Sequence, residues 1–252
     1  LAAPAAAAQE TAPRRLLAAH EQAAFRGVGR LDTGTGYCTA TLFSETLALT
    51  AAHCLVGPDG RAVPLARLRF RAGFREGGQR AVRAVRRAAL HPDWPAAGRV
   101  ASAEFIATDV ALIELDAPLP VAEFPNYLPG ELPPPGSAVA LPSYGRGRDR
   151  ALSLQDPCRV LAHAGGVLRL DCEAAPGTSG SPVLRREGDA LRLVGVISAL
   201  GGGSAWAAAT AEALPPLEAA LAAAAPRRKV SRPGGSLTTG GGAWKTSRPP
   251  SR

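Results

Sequence analysis

The chain has 252 residues, 46% hydrophobic and 20% charged, with a formal net charge of +8. That composition suits one or two modest globular domains, and no run of about 18 apolar residues is present to span a membrane. The charge does not mark a nucleic-acid binder: seven basic residues and no acid fall in 226–252, which leaves the body at about +1.

Residues 1–8 are almost all alanine and end in Ala6-Ala7-Ala8-Gln9. Small residues placed in this way fit the tail of a secretory signal peptide cut after Ala8. The competing reading is a flexible leader. The sequence holds no Met, so its start is expected upstream. Residues 9–24 are expected as a short polar helix or a loose arm, which makes 1–24 a leader segment.

The folded body is expected to begin at Phe25-Arg26-Gly27-Val28. Alternation and threonine content predict a strand over 37–43, and a second follows over 46–50. Residues 65–74 and 79–90 read as strands with arginine on one face, a solvated exterior. His91-Pro92-Asp93-Trp94 is a turn, and an apolar strand runs from Asp109 to 115. The proline-rich stretch 117–136 cannot hold a helix or a central strand and reads as a crossover. Strands are expected over 137–144 and 206–210, and a hairpin joins 183–184 to 191–198. Residues 214–225 have helical spacing. From 226 to 252 Gly, Ser, Pro and Arg dominate, so a disordered basic tail is expected. Many short strands with frequent turns predict an all-β fold.

Four cysteines permit three pairings. Cys158 and Cys172 flank His163-Ala164-Gly165-Gly166-Val167. A hairpin with 164–166 as its loop pairs His163 with Val167 and sets Cys158 opposite Cys172, close enough for a disulfide. Free thiols or a metal site are the alternatives, and the absence of a Cys-x-x-Cys spacing counts against metal. Disulfides imply an oxidising compartment, secreted or periplasmic.

Three stretches carry chemistry. Pro176-Gly177-Thr178-Ser179-Gly180-Ser181-Pro182 places a serine in a glycine-rich turn, where its hydroxyl can sit beside inward-facing amides. Thr50-Ala51-Ala52-His53-Cys54 follows an apolar strand, and Thr108-Asp109-Val110-Ala111-Leu112-Ile113 opens another. Each alone is more often structural. Together they supply a base, an acid to orient it and a nucleophile, in the order His53, Asp109, Ser179.

In these three blocks the sequence resembles the trypsin/chymotrypsin-like serine peptidases, over about 27–221. Its Gly-Thr-Ser-Gly-Ser-Pro form is closest in style to the bacterial glutamyl-endopeptidase-like members. The resemblance implies two antiparallel six-stranded β-barrels with the active site between them: an N-terminal barrel over about 25–118, a C-terminal barrel over about 130–212, and a terminal helix over about 214–225, all within a peptidase domain spanning 25–225. It implies that Ser179 attacks the carbonyl, that His53 moves its proton and that Asp109 orients the imidazole. The N–H groups of Gly177 and Ser179 would form the oxyanion hole. It also implies a Cys38–Cys54 disulfide, Ser198 beside the aspartate, and Ser198, Ala199 and Leu200 paired with the substrate backbone.

Two departures are expected to matter. The family's aspartate before the nucleophile is Thr178 here, so loss of the leader, with or without the arm up to Ala24, is expected to suffice for activation. Glu173 falls near the family's specificity pocket, where it would favour Arg or Lys substrates. The glutamate-specific branch uses a histidine on the strand that contains 198–200, and none is there, so glutamate preference is unsupported. The expectation is an exported serine endopeptidase acting on protein or peptide substrates, monomeric, with no metal or other cofactor, no nucleic-acid partner and no membrane span. Its rivals are a catalytically silent homologue acting as a binding module, and a basic tail that holds anionic polymer or membrane.

Overall fold

The computed structural model describes residues 11–95, 102–201 and 203–224. The alanine-rich start and the basic tail over 226–252 lie outside the described residues. The chain enters through a two-residue strand, β1 (Arg15–Leu16), and a 3-10 turn over Glu21–Phe25. There follow β2 (Val28–Asp32), β3 (Tyr37–Leu42), β4 (Leu47–Thr50), β5 (Arg69–Ala72), β6 (Ala81–Leu90), helix α1 (Ala103–Thr108) and β7 (Ala111–Leu115). After the proline-rich crossover come β8 (Ala138–Ser143), β9 (Ser153–Ala164), β10 (Val167–Leu170), β11 (Pro182–Glu187), β12 (Ala190–Gly201), β13 (Ser204–Ala209) and the terminal helix α2 (Thr210–Ala223).

Two antiparallel six-stranded barrels result. The first closes in the order β2-β3-β4-β7-β6-β5, with β5 returning to β2. The second closes as β8-β9-β10-β13-β12-β11, with Leu184 of β11 opposite Ala140 of β8. Period-two side-chain alternation explains their interiors. In β3, Cys38, Ala40 and Leu42 point into the first barrel; in β7, Ala111, Ile113 and Leu115 do the same. The opposite face of β7 is buried too. Leu112 joins a second apolar cluster that includes Leu49, Tyr144, Leu184, Val196 and the inner face of α2. Val139, Leu141, Val160, Leu168, Val183 and Ile197 fill the second barrel. Three cores thus exist: two barrel interiors and the seam between barrels. Among the described residues no helix is long and apolar enough to cross a membrane.

Several expectations need correction. Helix α2 starts at Thr210 and ends at Ala223, against the expected 214–225. Pro215 and Pro216 lie inside it, where each lacks the N–H that a helix interior uses. The helix runs through them because Thr210, Ala213, Leu214, Leu217 and Leu221 form one buried stripe. Helix α1 was not expected. It is started by Ser102, whose hydroxyl accepts from the Phe105 N–H at 3.1 Å. The cysteine hairpin turns on two residues, Gly165 and Gly166, and pairs Ala164 with Val167. A bulge between Arg169 and Leu170 then shifts the register by one, so Leu170 faces Val160. That shift restores the opposition of Cys158 and Cys172, which are bonded with a Cα separation of 5.2 Å.

The arm is not loose. β1 pairs with β9, Arg15 opposite Leu154 and Leu16 opposite Ser153, and so adds an edge strand to the second barrel. The Ala12 N–H donates to the Pro157 carbonyl at 2.8 Å, and the Leu17 N–H to that of Leu152 at 2.9 Å. Gln155 Nε2 donates to the Ala12 carbonyl at 2.8 Å. Arg148 and Arg75 donate to the carbonyls of Arg14 and Leu17. Leu17 is 2% exposed in the seam core and its neighbour Leu16 is 47% exposed. Leu17→Ala is therefore expected to lower the unfolding free energy by about 2–4 kcal/mol in chemical denaturation. Leu16→Ala should change it by no more than about 0.5 kcal/mol.

Candidate active site

His53 lies in a 3-10 turn over Ala52–Leu55 that leaves the end of β4. The turn is tied to β3 by the Cys38–Cys54 disulfide, Cα to Cα 6.3 Å. Asp109 caps the end of α1 and precedes β7. Its carboxylate has no exposed surface, and three donors reach it. The His53 N–H donates to Oδ1 at 2.8 Å. His53 Nδ1 stands 2.6 Å from Oδ2. Ser198 Oγ donates to the same Oδ2 at 2.6 Å. A buried carboxylate is tolerable only with this degree of satisfaction. With Nδ1 facing the carboxylate, Nδ1 carries the ring proton and Nε2 remains a base.

Ser198 reaches Asp109 because of a bulge. Along β12, Ile197 faces Ala207 and Ala199 faces Trp206, so Ser198 is the extra residue. Bulges re-aim side chains, and this one turns a hydroxyl of the second barrel into the first. Beyond it, Ala199 to Gly201 pair with β13 on one side. On the other side β11 has stopped pairing at Val196, so that edge is open.

Ser179 sits between Gly177 at φ +92° and Gly180 at φ +81°. A Cβ at Gly180 would collide with the Thr39 carbonyl and the Thr50 hydroxyl, and one at Gly177 with the Tyr144 carbonyl and the Tyr37 ring. The turn is thus pressed against the strand ends that deliver His53. Within it the Thr178 N–H donates to Ala175 and the Gly180 N–H to Ile197. The N–H groups of Gly177 and Ser179 donate to nothing among the described residues. Two unused donors therefore alternate with two used ones. The Ser179 hydroxyl is half-buried and also lacks a partner among the described residues. No hydrogen bond joins it to His53; Nε2 lies 3.8 Å from Cys54 Sγ.

Two further residues complete the mount, and the sequence did not single them out. Thr39 donates its N–H to the Ser179 carbonyl at 2.9 Å and its hydroxyl to the Gly177 carbonyl at 2.9 Å. The same hydroxyl accepts from the Tyr144 N–H at 3.1 Å. Thr50 Oγ1 donates to the Thr39 carbonyl at 2.8 Å. On a strand pattern Thr39 looks solvated, because it opposes the face of Cys38 and Ala40; both faces are in fact covered. Cys38, His53 and Cys54 cluster within 4.8 Å, but the two sulfurs are joined and offer no thiolate to a metal. His91, in the turn after β6, is buried, which pushes its pKa down, and its Nδ1 accepts from the Asp93 N–H at 3.3 Å.

Residues 36–196 match the trypsin-like peptidase domain. The chain belongs to that family. No curated protein matches it at a significant level. The double barrel fits that assignment. Beside the serine turn of this domain lies a cavity of about 370 Å³ lined by Arg14, Cys172, Glu173, Leu200, Gly201 and Ser204, among others. Glu173 is exposed at its wall, and the Glu173 N–H donates to Gln155 Oε1 at 2.7 Å. Arg14, from the arm, was not among the residues expected here.

Thr39→Val would leave both the Tyr144 N–H and the Gly177 carbonyl without their partner in a buried place. It is expected to cost about 1–3 kcal/mol of stability, while Thr39→Ser stays within about 0.5 kcal/mol plus the lost methyl. Parallel thermal denaturation of the two variants checks this.

Proposed function

We propose that this chain is an exported serine endopeptidase that cleaves peptide bonds through an acyl-enzyme. What carries the proposal is one atom, Asp109 Oδ2, which His53 Nδ1 and Ser198 Oγ both approach at 2.6 Å. An aspartate so placed fixes the imidazole tautomer and stabilises the imidazolium formed during reaction. Ser179 is the nucleophile. Its hydroxyl has no competing bond among the described residues, and its backbone is held by Thr39, so rotation about its side-chain bond can bring it toward Nε2. Catalytic hydrogen bonds often tighten only when substrate is bound.

The attack transfers the Ser179 proton to His53 Nε2, which returns it to the leaving amine. Water then repeats the cycle on the acyl group. The unused N–H groups of Gly177 and Ser179 are the proposed donors to the oxyanion, each worth about 3 kcal/mol in the transition state. The open edge of β12 at Ala199 and Leu200 is the proposed seat for the substrate backbone, which would add as a strand. The peptidase domain is proposed to span 25–225, with the arm packed against it as an added edge strand. The serine-turn motif aligns it with the bacterial glutamyl-endopeptidase-like branch. The two disulfides fit an oxidising compartment, which supports export to the periplasm or the medium.

A silent binding module is the second reading. It is favoured by the absence of a hydrogen bond between Nε2 and the Ser179 hydroxyl. A fluorophosphonate probe separates the two. Labelling confined to Ser179 and lost in Ser179→Ala supports the enzyme; an unlabelled wild-type chain supports the module. If it is an enzyme, Asp109→Asn should lower kcat by roughly 10⁴-fold, because the ring loses the acceptor that sets its tautomer.

A further inference from the structure

A cavity of about 340 Å³ lies where the arm meets the turn between β5 and β6. Three arginines line it. Arg26 stands at the end of the arm's 3-10 turn, and Arg75 and Arg80 belong to the turn over 73–80. Gly73, at φ +59°, lets two of them converge. A Cβ there would meet Arg80 Cγ at 2.9 Å and Arg26 Cγ at 3.8 Å, so both stems pack over the same piece of backbone.

The cations there outnumber the acids. Arg26 and Arg80 have no ion pair and no side-chain hydrogen bond among the described residues. Arg75 Nη2 donates to the Leu17 carbonyl, which leaves the rest of its fork of donors unused. Glu76 is the acid on the cavity wall. It is exposed, and its Oε2 stands 3.5 Å from Arg150 Nη1, outside the cavity. Guanidinium groups keep their charge in proteins, so three of them at one recess repel one another, with water as the main screen. Gln79 adds a neutral donor. Its Oε1 accepts from Arg71 Nη1 at 3.3 Å, so its amide N–H groups remain for something else.

We propose that this cavity binds a tetrahedral oxyanion of the phosphate or sulfate class, and that the bound anion fastens the arm to the first barrel. Arginine forks hold such oxygens by paired, charge-assisted bonds. A carboxylate offers two oxygens, too few for three forks that arrive from different backbone positions; a tetrahedral anion offers more. Set between Arg26 and Arg80, it replaces their mutual repulsion by attraction to one centre. It also joins two segments that are held here by Gln22 Nε2 on the Phe74 carbonyl at 2.8 Å and by Arg75 on the Leu17 carbonyl. The site uses none of His53, Asp109 and Ser179, so it stands or falls apart from the peptidase function.

Calorimetric titration of the full chain with inorganic phosphate, against chloride at constant ionic strength, is expected to show one saturable site. Arg26→Gln and Arg80→Gln should each weaken it by about tenfold or more. Arg61→Gln removes the same charge from a side chain that is 87% exposed elsewhere on the barrel, and should leave it within about 2-fold. At about ten times its dissociation constant, phosphate should raise the melting midpoint by roughly 3–6 °C over chloride. In the Arg26→Gln/Arg80→Gln double variant that rise should vanish, which separates the site from the general salt effect of phosphate. Glycerol phosphate, titrated in the same way, tells the sources apart: tighter binding than phosphate assigns the site to an esterified group, equal or weaker binding to the free ion. Phosphate should also slow proteolytic cleavage within 11–24 several-fold in the wild-type chain and not in the double variant. No saturable binding, or binding that survives both substitutions, overturns the site. Binding with unchanged cleavage of the arm overturns the fastening. Should Arg26→Gln not fold, Arg80→Gln decides, because Arg80 is exposed.

Discussion

The structure turns on a carboxylate that water cannot reach. Asp109 is wholly buried, and a lone ionised group there would be prohibitively costly. It is tolerated because the first barrel supplies two donors from His53 and the second supplies the Ser198 hydroxyl. The relation between the barrels is set by that shared acceptor as well as by the apolar seam. Shifting β12 along its length by one residue would take Ser198 away from Asp109 and expose the wrong face of the strand.

Around this point the seam carries buried hydroxyls among its apolar side chains. Thr39, Thr50 and Ser198 are buried, and all three bond across or along it. Threonine suits a strand whose two faces are both covered. It is β-branched, fits a pleated sheet, and offers one hydroxyl that both donates and accepts. Thr39 uses both functions to hold the serine turn from behind. The geometry of the nucleophile is therefore fixed by a residue that takes no part in the proposed chemistry.

Much of this was legible in the sequence. The strands ending at Thr50 and starting near Asp109 announced themselves by apolar runs, and the glycines flanking Ser179 marked its turn. The family match over 36–196 agrees with those blocks. Other features left no local trace. Thr39 has the same pattern as a solvated strand residue. The bulge at Ser198 depends on what β13 and Asp109 do, and the bulge beyond Arg169 corrects a hairpin whose loop is one residue shorter than counted. Helix α2 overrides two prolines because its stripe of buried side chains outweighs local propensity. The solvated arginine face was partly right. Arg86 and Arg87 of β6 lie at the surface, yet both bind Glu114 of β7, which is itself 6% exposed. The arm departs from the expectation for a related reason: a polar, alanine-rich segment carries little sign of a partner strand 139 residues away, Arg15 to Leu154.

That long reach has a consequence for how the molecule is made. The first barrel is contiguous from 28 to 115 and can close as soon as its last strand leaves the ribosome. The arm is synthesised before it, yet β9, its pairing partner, comes after residue 152. Throughout that interval residues 11–17 trail as an unpaired ribbon with Leu17 in water. A nascent chain is therefore open to trimming at its front end long before the second barrel gathers it in. The trimmed product would lack the β1 edge of the second barrel and the Leu17 side chain in the seam core.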